Sequence, residues 1–379
     1  MTAPPAGRDG QVMVGESLLV RYLNFVKVPH TVFALPFALV GATLASYGAP
    51  VTWSALGWIV LAFTAVRFAA MGFNRIVDRD IDARNPRTAN RELPRGALTL
   101  RQATAAVVVM SLVFVVSAWQ LNPLCGWLSP VALAWVLFYS YTKRFTRWSH
   151  LVLGASLSIA PVGGYLAIAG RWSDPAWMLL VLAAAVASWV AGFDILYALQ
   201  DQSFDRAHGL HSVPAALGEE RAVQISRGLH AVTVVSLVGV GVATHAGWLY
   251  TLGVVVAAAL LLYEHSLVKP HDLRRLDAAF FAMNGIISIA FFVFVLIERL
   301  LRPGGGPGCP TIPHSRFPIP GESGPAARHR DYRCIGCTVC RALAAGAGGR
   351  DTADVADRVR SRVPAPRHRV GDRFTRCAP

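Results

Sequence analysis

Nine long apolar runs decide what this chain can become. They fall at about residues 28–48, 54–74, 102–121, 124–142, 151–170, 175–199, 222–245, 247–264 and 278–300. Several are near 20 residues, the length at which a helix crosses a hydrocarbon core of about 30 Å. Backbone inside lipid must satisfy its own hydrogen bonds, so continuous runs of this kind fold as helices. They do not alternate, which argues against a β-barrel. Pro36 and Pro161 lie within runs, and transmembrane helices tolerate such residues. With 54% hydrophobic and 15% charged residues, the chain is too apolar for a soluble domain of its length. The expected fold is all-α: a multi-pass transmembrane helical bundle of about nine helices around a central cavity. The bundle is expected over residues 21–302, after a polar segment (1–20) and before a disordered basic tail (303–379).

The flanks of the runs set the expected orientation. The connection after the second run carries Arg75, Arg79, Arg84, Arg87, Arg91, Arg95 and Arg101. Later connections on the same side carry Lys143, Arg144 and Arg147, then Arg206 and Arg221, then Lys269, Arg274 and Arg275. The alternate connections carry only Arg171. Positive charge stays inside, so this side is expected to face the cytoplasm. No short apolar h-region with a cleavage site precedes the first run, so no removable signal peptide is expected. LVRYLNFVK, Leu19 to Lys27, reads as an amphipathic lead-in helix on the membrane surface.

Two acidic stretches sit where apolar runs end. In the first, Asn74, Asp78 and Asp82 are spaced i, i+4 and i+8, which stacks them on one helical face. Arg67 lies two turns earlier. In the second, Asp194, Tyr197, Asp201 and Asp205 repeat the pattern. Carboxylates on adjacent turns repel one another, and a divalent cation resolves the repulsion. Mg²⁺ is usually held by one or two carboxylates, waters and substrate phosphates. Two such faces across a cavity point to two metal ions clamping a diphosphate, with Arg75, Arg79, Arg87 and Arg91 available for the remaining phosphate charge. The plainer alternative is a solvated helix end with salt bridges such as Asp78 to Arg75 or Arg79. Two matching stretches in one membrane chain favour function.

These residues carry a resemblance. NRIVDRDID followed by RTANRELPRG resembles the first aspartate-rich motif of the UbiA family of intramembrane aromatic prenyltransferases. DILYALQDQSFD resembles the family's second motif, YTKRFTRWSHLVLG (Tyr141 to Gly154) its Lys-Arg segment, and HGLHSVPAALG the segment after the second motif. The likeness covers about residues 20 to 300 and is nearest to the 4-hydroxybenzoate polyprenyltransferase branch and its menaquinone-pathway relatives. Arg75 departs from the pattern, standing where many members have a further Asp.

The resemblance implies that Asn74, Asp78 and Asp82 bind one Mg²⁺ and Asp201 and Asp205 the other. It implies polyprenyl diphosphate and an aromatic acid as substrates, membrane lipid as surroundings, and Lys143 and Arg144 as a basic pair beside the diphosphate. Tyr197 shields an allylic cation, bonds to diphosphate, or anchors at the interface. Asp194, deepest in its run, and Arg67, inside another, are expected to be functional, since unpaired intramembrane charges are costly. The partner of Arg67 is Asp194, diphosphate or the acceptor's carboxylate. The rival class is an ion-coupled transporter, which would not require the Arg-Thr-x-x-Arg or Lys-Arg segments.

The tail is a different kind of sequence. From residue 303 it holds 13 Arg against 6 acidic residues, net +7 and half of the chain's +14. Its Gly, Pro, Ala and Arg cannot bury a core. It lacks aromatic interleaving, so no nucleic-acid partner is expected, and no obligate protein partner is evident. CIGCTVC (Cys334, Cys337, Cys340) has part of an iron–sulfur or zinc spacing, but the fourth ferredoxin position is Ala344. A translated alternative reading frame would have the same composition.

Overall fold

A computed structural model describes residues 17–27, 29–267 and 276–302. Among the described residues every regular element is a helix. The expectations for the first 16 residues and for the tail with its cysteines lie outside the described residues.

Ser17 accepts the Val20 N–H and starts α1 (Leu18–Phe25), the expected lead-in helix. Phe25 is buried, while Leu18 and Leu19 stay exposed. The membrane helices follow: α2 (Pro29–Ala45), α3 (Trp53–Val77), then the short α4 (Arg79–Arg84), α5 (Leu100–Leu121), α6 (Pro123–Thr142), α7 (Ser149–Ala169) and α8 (Trp177–Ala198). A 3₁₀ turn (Leu199–Asp201) leads to α9 (Gln202–Ala207), α10 (Val213–Leu217), α11 (Glu219–Ala243), α12 (Trp248–Leu267) and α13 (Leu276–Leu301). Among the described residues, eight helices are long and apolar enough to cross a membrane. The ninth expected span is α2, a 17-residue helix with Pro36 inside it. The protein is a multi-pass membrane helical bundle.

Local chemistry explains the boundaries. Thr99 and Gln102 form a reciprocal capping box at the start of α5, satisfying two donors that a helix start leaves open. Asn122 accepts the Cys125 N–H ahead of Pro123, and its amide donates to the Leu166 carbonyl at 2.9 Å, tying the far ends of α6 and α7. Gly170 ends α7 at φ 62°, a left-handed position that glycine adopts without strain.

The core lies along α8, which packs between α7 and α11. Lipid offers no hydrophobic drive between helices, so small residues that let backbones approach hold such bundles together. A side chain at Gly154 would strike the Ala187 carbonyl of α8, and one at Gly41 or Gly164 would strike a carbonyl across the α2–α7 contact. Outward positions such as Val131 and Val235 are large, apolar and about 70% exposed (67% and 71%). This is the surface a lipid solvent wants.

Candidate active site

Both acidic stretches sit at breaks in their helices. The expected single helical face is corrected here. Helix α3 ends at Val77, Asp78 adopts φ −94°, ψ 4°, and α4 restarts at Arg79. In the second stretch α8 tightens into the 3₁₀ turn, and Asp201 (φ −98°, ψ 3°) opens α9. These are bridge-region dihedrals, sparsely populated outside turns and active sites. Asp78 N–H still bonds Asn74 O, and Asp82 N–H bonds Asp78 O. The four-residue spacing therefore survives as a kinked turn.

The two stretches meet. The segment after α4 crosses to the second: Asn85 Nδ2 donates to Asp201 Oδ1 at 3.1 Å. Arg87 grips Asp201 with both arms of its fork, Nε to Oδ1 at 2.9 Å and the other nitrogen to Oδ2 at 2.5 Å. Its third nitrogen donates to the Tyr197 hydroxyl at 2.9 Å, and its guanidinium lies over the Tyr197 ring. Arg91 donates to both oxygens of Asp82 at 2.8 and 2.9 Å. Arg144, from beyond α6, donates to Asp78 Oδ1 at 2.8 Å and to the Val77 carbonyl. Asn74 donates to the other Asp78 oxygen at 3.0 Å.

Burial raises the Asp78 carboxyl above its ordinary value, against the lowering pull of Arg144. Burial would lower the Lys143 ammonium, but Asp205, Asp194, Asp201 and Asp78 together outweigh it and hold it high. Lys143 is thus a cation on which all four carboxylates act.

Arg75 behaves otherwise. It donates to Glu92 at 2.6 Å, with side chains 5% and 0% exposed. The Asp78 to Arg75 or Arg79 bridges of the plainer sequence reading do not form: Arg75 takes Glu92 and Arg79 takes Asp80. Asp194 is held by His150, whose Nδ1 lies 2.6 Å from Asp194 Oδ2. Sequence reasoning passed over His150, Glu92 and Asn85. A lone acid within the arginine-rich RTANRELPRG, and a histidine opening an apolar run, were the available signals, since each ionisable group there needs a partner.

A cavity of about 720 Å³ opens from this cluster into the bundle. Asn74, Arg67, Arg75, Arg91, Asp194 and Tyr197 line its polar end. Phe63, Phe114, Leu157 and Ile159 line its length, and Trp172 and Leu121 its far end. Lys27, at φ 45°, also reaches the lining. The space suits a ligand with a charged head and a long apolar tail.

Among the described residues no three Asp, Glu, His or Cys side chains gather closely enough to hold an ion by themselves. The donors are nonetheless those of a hard cation, all oxygen: Asp78 and Asp82, Asp201 and Asp205, with the Asn74 amide. Asp205 is 3% exposed, and its Oδ2 has no hydrogen-bond partner among the described residues. A cation sharing its coordination with phosphate and water suits such a set.

The model of the UbiA prenyltransferase family matches residues 34–286. The chain is 32% identical over 238 residues to a 4-hydroxybenzoate octaprenyltransferase of Aromatoleum aromaticum, covering 62% of this chain and 79% of that one. It is 30% identical over 259 residues to the enzyme of the same name from Aeromonas hydrophila, covering 68% and 88%. Among solved structures it resembles an apo UbiA homolog from Aeropyrum pernix K1 at 34% identity and a TM-score of 0.64, covering 71% of this chain and 98% of that one. It also shares the fold of a UbiA homolog from Archaeoglobus fulgidus bound to GPP and Mg²⁺, at 20% identity and a TM-score of 0.58, covering 73% and 99%. The family match sets aside the transporter reading. The chain is a multi-pass membrane prenyltransferase and belongs to the UbiA prenyltransferase family.

Proposed function

We propose that the enzyme transfers a polyprenyl group from an allylic polyprenyl diphosphate to a hydroxylated aromatic acid, with 4-hydroxybenzoate as the first acceptor, in respiratory quinone biosynthesis. The observation that carries this is the joining of two carboxylate-bearing helix breaks at the polar mouth of a long apolar cavity. Similarity to named 4-hydroxybenzoate octaprenyltransferases supports the acceptor. A hydroxynaphthoate is the second candidate. The asymmetry of Lys and Arg along the chain supports a site open to the cytoplasm from the inner membrane.

The diphosphate belongs at the acidic mouth. Asn74, Asp78 and Asp82 on one side and Asp201 and Asp205 on the other would hold Mg²⁺. A bound divalent cation supplies charge that stabilises the departing diphosphate. Arg87, Arg91, Lys143 and Arg144 bring four further positive charges to the same place, and an arginine fork fits phosphate as it fits carboxylate. The apolar lining takes the tail and keeps water from the allylic cation. Tyr197, its hydroxyl fixed by Arg87, presents a ring at the mouth that stabilises that cation. Arg144 is bound to Asp78 and belongs to the diphosphate end. Arg67 faces the cavity and is the group for the acceptor's carboxylate.

The test is initial rate in washed membranes with a fixed polyprenyl diphosphate. Transfer to 4-hydroxybenzoate should need Mg²⁺ or Mn²⁺, stop with a chelator, and fall at least about a hundredfold in Asp78→Asn or Asp201→Asn. Phenol should be a far poorer acceptor, because it cannot make the carboxylate contact that the site is built to bind. Arg67→Ala should raise the acceptor's KM more than the donor's. Equal rates with phenol and 4-hydroxybenzoate would remove the aromatic-acid assignment, and wild-type activity in both aspartate variants would remove the metal assignment.

A further inference from the structure

His150 is fully buried, with 0% exposure, and stands behind Asp194 of the cavity wall. It stands on the first turn of α7 and touches two other elements. Its Nδ1 lies 2.6 Å from Asp194 Oδ2 on α8. Its Nε2 accepts the backbone N–H of Val213, the first residue of α10, at 3.4 Å. A neutral imidazole has one donor and one acceptor nitrogen. The Val213 N–H takes the acceptor, so the proton rests on Nδ1 and is donated to Asp194. This is the arrangement by which an outer group fixes both the tautomer and the direction of an inner one. His150 takes Asp194 Oδ2, and Asp194 lines the cavity. It lies seven residues before Asp201, about 10 Å farther along the axis, on the wall below the diphosphate end. Lys143 and Tyr139 are close enough to feel its charge.

We propose that Asp194, aimed by His150, takes the ring proton released when the prenylated acceptor recovers its aromaticity. The proposal rests on the aromatic-acceptor reading above. The allylic C–O bond breaks and its electron pair leaves with diphosphate. A ring carbon ortho to the hydroxyl gives a π pair to the allylic carbon, forming the new C–C bond and leaving the ring cationic. The C–H bond at that carbon then breaks, its electrons restore the ring, and the proton goes to Asp194 Oδ1. The net reaction places that proton on diphosphate, and the carboxylate is regenerated. Asp194 is the catalytic residue, and His150 is a positioning residue that acts through it.

The experiment uses the full chain in membranes and 4-hydroxybenzoate with hydrogen or deuterium at the two carbons flanking the hydroxyl. In the wild type, proton loss follows the slow step and the isotope effect stays near unity. His150→Leu should lower kcat about 10- to 100-fold, the usual range for loss of an orienting partner. It should leave the KM for the prenyl donor unchanged and make a primary isotope effect appear. His150→Gln, whose amide can still donate to Asp194, should recover part of kcat and suppress the isotope effect. Asp194→Asn keeps the side chain's size, should show the effect more strongly, and supplies the readout if His150→Leu does not fold. An isotope effect that stays at unity in Asp194→Asn, or wild-type kcat in a folded His150→Leu, would overturn the assignment and leave diphosphate as the base. Failure of the wild type to prenylate 4-hydroxybenzoate at all would instead overturn the functional reading, and this inference with it.

Discussion

Two aspartates at the mouth are matched by arginines from distant parts of the chain. Asp201 is held by Arg87, 114 residues earlier, and Asp78 by Arg144, 66 residues later. The Arg75–Glu92 pair differs in being sealed from solvent on both sides. Removing one member of a buried pair leaves an uncompensated charge and costs about 3–5 kcal/mol, whereas replacing both with apolar residues is often neutral. Glu92→Ala should therefore melt in detergent well below the wild type. The double variant Arg75→Met/Glu92→Leu should regain most of that loss. A single variant as stable as the wild type would show that the pair does not hold the loop after α4. Arg75, which departs from the family's usual aspartate, thus has a partner of its own and anchors the segment that delivers Arg87 and Arg91.

The helices that carry the site owe their spacing to small residues. A Cβ at Gly164 of α7 would run into the Ala38 carbonyl of α2, while one at Gly163 would meet nothing within 4 Å. Helical backbones cannot give way as a flexible side chain can, so overpacking here separates two elements. Gly164→Ala should destabilise the bundle by about 1–3 kcal/mol, and Gly163→Ala should leave the melting temperature unchanged. Equal melting of the two variants would mean that α2 and α7 are not packed backbone to backbone. The acidic stretches also belong to this scale. Spacing in fours predicted a continuous face, and the face exists, but each helix breaks at its middle aspartate. A pattern of side chains says which turn a residue occupies. It does not register a change of backbone angle that keeps the same hydrogen-bond ladder.

Charge and hydropathy divide the molecule as a whole. The family match ends at residue 286 and the last of the described helices at Leu301. Residues from 303 onward carry net +7 with little to bury. A chain ending at Arg302 is expected to insert and to transfer a prenyl group at the wild-type rate, as read by membrane level and turnover. Normal membrane level with lost turnover would assign the tail a part in catalysis. The bundle, the positions of its helices within a few residues, the two acidic stretches and the cationic side were all legible in the chain. They depend on local quantities, namely run length, spacing in fours and the side of each run on which arginine falls. His150 and Glu92 were not legible, because a single ionisable residue in an apolar or basic segment announces a need for a partner without naming it.

Taken alone, the sequence determined that the chain crosses the membrane as helices and that its acidic residues gather at helix ends. Backbone in lipid has no other solution, and repelling carboxylates at helical spacing demand a counter-charge. Tertiary structure decided which counter-charge each received: Arg87 for Asp201, Arg91 for Asp82, Arg144 for Asp78, His150 for Asp194 and Glu92 for Arg75. Three of these pairs join residues 44 or more positions apart. Their choice follows from how α3, α6, α7 and α8 pack, because at these distances Coulomb attraction acts only after packing has excluded water and brought the groups within a few ångströms.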